Sequence, residues 1–197
     1  MTVAFGLKAH SGWAALVVVG AHDGKMVVVD RRRIELVEDA WAKQPYHAAE
    51  RLKSDAARAL VRRGVEQADR VAEREIRAAV ARERVRGNEV AACAVLVASE
   101  MPDWSVEDIL AVHFRMHKAE GVLFPDALVR ATRACGLRAV PIPGKTLDSH
   151  AEAVLRTPAS RLAKTIATLG TTLGPPWAKD QKDAALAALI ALERQTA

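Results

Sequence analysis

The chain has 197 residues, a length that a single domain around one hydrophobic core accommodates. Half of the residues are hydrophobic, 27% are charged, and every apolar stretch, such as residues 14–19, is far shorter than the roughly 20 residues of a membrane span. No segment near Met1 resembles a secretory signal peptide. The sequence therefore predicts one cytoplasmic domain over residues 1–197 and excludes a membrane as partner.

The charge and the cysteines agree with this interpretation. A net charge of +5 and an isoelectric point near 9.5 allow nucleic acid as a partner, because basic surfaces attract phosphates. Cys93 and Cys135 stand in neither a CxxC nor a zinc-binding spacing, which predicts two free thiols. The composition leaves the oligomeric state open.

The first elements are predicted to be strands and a long helix. β-Branched segments at residues 14–19, 25–30 and 31–37 predict an antiparallel meander, with Asp23 and Gly24 in a tight turn of positive φ. Apolar residues at helical spacing predict a helix over residues 47–86, with a break near Ser54 or Gly64. The meander is therefore followed directly by a helix.

The rest of the chain alternates between helices and strands. An almost unbroken apolar run over residues 90–98 predicts a central strand that is buried on both faces. A capping box at Ser105 and Asp108 opens a helix. Further helices are predicted over 124–135, after Ser149, after Thr157 and through Leu192, with a strand over 138–142.

A meander followed by alternating helices and strands is the element order of the ribonuclease H-like fold. The stretch "GLKAHSGWA" resembles the first strand of RuvC-type Holliday-junction resolvases, which typically have an Asp where this chain has Lys8. The stretch "DQKDAALAAL" resembles their last helix. The whole chain also resembles a family of uncharacterised bacterial proteins, in "AHSGWAALV", "DRRRIEL", "KQPYHAAE", "HKAEG" and "GPPWAKDQK". These resemblances imply an α/β three-layer fold whose mixed five-stranded sheet is flanked by helices.

Nucleases of this superfamily hold two divalent ions, Mg²⁺ or Mn²⁺, with a group of carboxylates. The resemblance implies Asp180 and Asp183 as metal ligands and catalytic residues, with Glu100 or Glu120 as a further acid. Lys8 cannot ligate a metal while it is charged, and His10 is a poor substitute for a carboxylate toward magnesium. Acids in the first turn of a helix are also favoured by the helix dipole, so Asp180 and Asp183 have a structural interpretation as well.

Two hypotheses follow. One is a Mg²⁺- or Mn²⁺-dependent phosphodiesterase, a nuclease that uses Asp180 and Asp183. The other, which the missing acid at Lys8 favours, is a nucleic-acid-associated binding protein whose metal site is decayed or altered. The candidate binding residues are polar or charged side chains near the two resembling stretches and the strand that carries "RRR": His10, Ser11, Arg31, Arg33, Glu35, His47 and Lys182. Their structural alternatives are a polar turn for His10 and Ser11, a helix cap for His47 and a charged edge strand for the arginines.

Overall fold

The computed structural model describes residues 1–171 and 173–196. Within them, one mixed sheet is formed by five strands: β1 (Thr2–His10), β2 (Trp13–His22), β3 (Lys25–Glu35), β4 (Glu89–Val97) and β5 (Arg138–Pro143). Their order across the sheet is β3-β2-β1-β4-β5. The first three strands are antiparallel, and β4 runs parallel to both of its neighbours, β1 and β5.

The meander is confirmed, but its strand boundaries differ from the prediction. β3 is one strand of 11 residues, so the predicted separation of residues 25–30 from 31–37 is wrong. The remaining strand of the meander is β1, whose apolar pattern is interrupted by Gly6, Lys8 and His10. The predicted tight turn is confirmed, with φ of +49° at Asp23 and +71° at Gly24.

The described residues form seven α-helices: α1 (Pro45–Ala49), α2 (Ser54–Val85), α3 (Val106–Leu110), α4 (His113–Ala134), α5 (Leu147–Leu155), α6 (Ala159–Leu169) and α7 (Lys179–Thr196). Two 3-10 helices, Ala40–Lys43 and Gly144–Thr146, precede α1 and α5. The predicted break falls near Ser54, where α2 begins. Gly64 lies within α2 and packs against Pro45, at a place where a Cβ atom would come within 2.6 Å of the proline ring.

Helix α4 is longer than predicted. It begins at His113 instead of residue 124, and Pro125 lies inside it. A proline lacks the amide hydrogen that an interior turn donates, so it usually indicates the start or the end of a helix. The capping box of α3 is confirmed, because the Asp108 amide donates to Ser105 Oγ at 3.0 Å and the Ser105 amide donates to Asp108 Oδ2 at 3.1 Å.

Helices cover both faces of the sheet and make three layers. On one face, α2 and α4 pack on side chains such as Phe5 and Leu7. On the other face, α7 packs on Ala4 and Val17, and α5 and α6 complete this layer. Residues 92–96 of β4 are buried, which confirms the predicted central strand. None of the described helices combines the length and the apolar character needed to cross a membrane.

The contact between β1 and α7 is unusually close and positions the site described below. A Cβ atom on Gly6 would lie 1.8 Å from the carbonyl oxygen of Ala184. Only glycine fits here, and the small residues of α7 allow its backbone to approach the strand. The next two side chains on this face of β1 are Lys8 and His10, because successive side chains of a strand alternate between faces.

Candidate functional site

The amino end of α7 and the carboxyl end of β1 bring opposite charges together. Lys8 Nζ lies 2.8 Å from Asp183 Oδ2 and 2.9 Å from Asp180 Oδ1. Asp180 and Asp183 are three residues apart and therefore lie on one face of α7. Lys179 Nζ makes a second contact with Asp183 Oδ2, at 3.0 Å, but its side chain is 81% exposed. Lys8 is thus the inner cation between the two carboxylates.

The pKa shifts at this site favour the charged pair. Burial disfavours a charged lysine, but the hydrogen bonds to Asp183 and Asp180 outweigh burial and raise the pKa of Lys8 above its ordinary 10.5. Burial would also raise the pKa of Asp180, but the hydrogen bond from Lys8 and the neighbouring His10 lower it below 3.8. Lys8 and Asp180 are therefore both ionised near neutral pH.

The pair of carboxylates and the lysine make a poor set of donors for a hard divalent ion. Mg²⁺ takes oxygen ligands in octahedral geometry, and a charged ammonium group has no lone pair to offer. The ammonium group of Lys8 also already lies between the carboxylate oxygens that would have to turn toward the ion.

His10, Trp13 and Arg33 form a flat stack beside this ion pair. His10 Nε2 lies 3.1 Å from Asp180 Oδ2, and its ring stacks on Trp13 with the ring centroids 4.4 Å apart and the planes 14° apart. The guanidinium carbon of Arg33 lies 4.1 Å from the centroid of the Trp13 ring. Trp13 was not among the predicted site residues, although it begins β2 directly after the turn and pairs with His10 across the hairpin.

The other predicted residues of β3 bind within the protein. The Arg31 guanidinium donates to backbone carbonyls of the loop before α7: those of Leu173, Gly174, Pro175 and Pro176. Arg31 thus fastens this loop to the sheet. Arg33 Nε donates to Glu35 Oε1 at 2.6 Å, so these two candidates pair with each other.

Lys182, the remaining basic candidate, lies on α7. It lines a cleft with Asp183 and Ile166, on the side of α7 that faces α6.

The two glutamates predicted as further acids do not contact the ion pair. Glu100 follows β4 and lines a cleft with Met101 and Asp126. Glu120 is 6% exposed and pairs with His47, whose Nδ1 lies 2.8 Å from Glu120 Oε2. A separate cleft of about 230 Å³ lies between Glu120 and the end of β1. The residues that line this cleft are Ala9, His10, Ser11, Gln44, His117, Glu120, Gly121, Phe124 and Pro125.

His113 and His117 were missed by sequence reasoning and lie next to His47. Together the three histidines place one nitrogen each within 4.8 Å of the others. The spacing of His113 and His117, four residues apart, was a signal that they share a helix face. Because the helix was predicted to begin at residue 124, the spacing of His113 and His117 was not interpreted as a shared helix face.

The strand order, the parallel pairing of β1 with β4 and the helix packed against β1 define a ribonuclease H-like fold of the RuvC type. The solved structure of Thermus thermophilus RuvC is similar to this chain with a TM-score of 0.50 and 15% sequence identity, over 98% of this chain and 96% of that one. T. thermophilus RuvC in complex with a Holliday junction substrate has a TM-score of 0.49 and 14% identity, over 100% and 96% of the two chains. No protein-family model matches the sequence, and no curated protein sequence matches it.

Proposed function

We propose that this protein is a nucleic-acid-associated binding protein of ribonuclease H-like fold, in which Lys8 replaces the catalytic metal. The observation that carries the proposal is the position of Lys8 Nζ between Asp180 and Asp183, at 2.9 and 2.8 Å. A lysine supplies the positive charge that the two carboxylates require, so an ion is not needed to relieve their repulsion. It supplies neither the Lewis acid nor the activated water of a metal-dependent nuclease.

The stack beside this ion pair supports nucleic acid as the partner. Proteins that bind single strands combine cationic groups with aromatic side chains on which bases stack. His10, Trp13 and Arg33 offer this combination, and Arg33 is 55% exposed. The net charge of +5 would favour the approach of a phosphate backbone.

The metal question is tested by thermal unfolding with and without Mn²⁺. We expect the melting temperature of the unaltered protein to stay the same at millimolar Mn²⁺. Lys8→Asp adds a third carboxylate, so Mn²⁺ should stabilise this variant, by about 2.7 kcal/mol once its concentration is 100 times the Kd. Lys25→Asp, at the exposed start of β3, is the matched control and should not respond. A Mn²⁺-dependent rise in the unaltered protein that Asp183→Asn abolishes, or nicking of DNA or RNA, would instead support the phosphodiesterase.

The partner is tested by fluorescence anisotropy with labelled single-stranded, duplex and four-way-junction oligonucleotides at low salt. We expect saturable binding to at least one of them. Arg33→Gln and Trp13→Leu should weaken it, because Arg33 offers a positive charge to phosphate and the Trp13 ring positions the Arg33 guanidinium. Arg58→Gln is the control, because Arg58 pairs with Asp55 and Glu107, on α2 and α3. Absence of binding to all three oligonucleotides would contradict the proposal.

A further inference from the structure

Three histidines from two helices meet beside the buried carboxylate of Glu120. His47 lies on α1, and His113 and His117 lie on the first turns of α4. The Nε2 atoms of His113 and His117 are 3.0 Å apart. The ring centroid of His47 lies 5.2 Å from that of His113 and 4.8 Å from that of His117.

Glu120 fixes the orientation of His47. Its Oε2 lies 2.8 Å from His47 Nδ1, and its Oε1 accepts the backbone amide of His47 at 3.2 Å. The Glu120 side chain is 4% exposed, so these protein groups replace most of its contacts with water. A carboxylate bound to Nδ1 keeps the proton on that nitrogen and leaves the lone pair on Nε2. Metal-binding histidines are commonly oriented by a carboxylate in this way.

We propose that His47, His113 and His117 form a binding site for a divalent transition-metal ion of the zinc class. Three imidazole nitrogens suit Zn²⁺, and also Co²⁺, Ni²⁺ and Cu²⁺, but not Mg²⁺. Around a tetrahedral Zn²⁺ with Zn–N distances of 2.0–2.1 Å, two nitrogens lie about 3.3 Å apart. The histidine nitrogens lie within 4.8 Å of one another, and His113 and His117 are exposed, so small rotations of these two rings bring the set to that geometry.

The site differs in chemistry from the ion pair of Lys8 and goes beyond the proposed function. Its three ligands are neutral nitrogens, while Asp180 and Asp183 are hard oxygen donors already paired with Lys8. Three protein ligands leave a fourth position of a tetrahedral ion for water or for an atom of a bound molecule. The metal would also join α1 to α4, at a place where α1 has only five residues.

The test is a titration of the full chain, freed of metal by a chelator, with Zn²⁺ in competition with a chromophoric chelator. We expect one Zn²⁺ per chain, and Co²⁺ in its place should give the visible absorption of a tetrahedral nitrogen site. His113→Gln combined with His117→Gln should abolish both signals. These side chains are exposed, so the variant should keep its far-ultraviolet circular dichroism and its melting temperature without metal.

Controls separate this site from other donors. His22→Gln changes an exposed histidine outside the site, and His10→Gln changes the one that contacts Asp180; both should leave the stoichiometry and the affinity unchanged. Glu120→Gln should keep one Zn²⁺ per chain but lower the affinity about 10–100-fold. The proposal is overturned if the unaltered chain binds no Zn²⁺, or if binding survives in the double variant. Loss of binding in His10→Gln alone would place the metal at Asp180 and overturn it too.

Discussion

At the scale of single residues, Lys8 sets the charge of the site between β1 and α7. An aspartate at this position would add a negative charge to those of Asp180 and Asp183, and the three carboxylates would need a bound cation. The lysine neutralises one of the two acids from within the protein. Under the proposed function, this one side chain therefore distinguishes the present site from one that requires a metal.

The pH dependence of this contribution follows from the pKa shifts. Asp180 has a lowered pKa in the folded protein, so its stabilising effect is present above pH 3.8 and is lost as the pH falls through the folded value. Lys8 has a raised pKa, so its effect is present below pH 10.5 and is lost as the pH rises through the folded value. We expect Lys8→Met to lower the free energy of unfolding by about 2 kcal/mol near neutral pH.

This prediction is checked by urea denaturation across the pH range. The difference between the unaltered protein and Lys8→Met should shrink as the pH falls below 3.8 toward the lowered pKa of Asp180, and as it rises above 10.5 toward the raised pKa of Lys8. A difference that stays constant with pH would mean that Lys8 contributes through the packing of its aliphatic stem instead.

At the scale of elements, the close approach of β1 and α7 depends on Gly6. Gly6→Ala would place a Cβ atom 1.8 Å from the Ala184 carbonyl oxygen, so strand and helix must separate. We expect a loss of about 3 kcal/mol or more in the free energy of unfolding, measured by urea denaturation. Gly121→Ala is the control: its Cβ would meet nothing within 4 Å, and alanine in a helix should stabilise by up to about 1 kcal/mol. Equal effects of the two changes would contradict this account of the packing.

The elements that could be predicted are those with a strong local pattern. The apolar run of β4 and the capping box of α3 depend on neighbouring residues alone, and both are confirmed. β1 was harder to recognise because glycine and charged residues occupy the face that α7 covers, and the reason for them lies in a helix distant in sequence. The first half of α4 was missed because Pro125, acceptable in the folded helix, resembles a helix boundary.

The candidate site was predictable in the same uneven way. Asp180 and Asp183 were singled out by their spacing and by a resemblance, and the structure brings both to Lys8. The partner of His47 is Glu120, 73 residues further along, and only tertiary structure brings them together. Arg31 was predicted to be a binding residue, but an arginine that donates to backbone carbonyls has the same sequence signal as one that faces solvent.

At the scale of the whole molecule, we propose that the three layers unfold as one unit. α7 packs on β1, β2 and β4, and α5 and α6 pack on α7. The helices after β5 therefore cover the central strands of the sheet, and neither part would keep its apolar surface buried without the other.

Two spectroscopic signals should accordingly change together on heating. Far-ultraviolet circular dichroism follows the helices, and fluorescence follows the four tryptophans, Trp13, Trp41, Trp104 and Trp177, which are spread through the chain. We expect coincident transitions, as for a two-state protein. An earlier fluorescence transition, with most of the helix content retained, would show that the layers unfold separately.

The pairing of Lys8 with Asp183 joins residues that are 175 positions apart, and this has a consequence for the order of events during synthesis. The hairpins of β1, β2 and β3 can form as soon as they leave the ribosome. β1 gains its second neighbour in the sheet only when β4 has been synthesised, and its helical cover only when α7 has been synthesised. Until α7 emerges, the apolar face of the meander that it covers stays open to water and to chaperones. The ion pair at Lys8 therefore forms only after α7 has docked, and a molecule that recognises this ion pair would bind only chains in which α7 is in place.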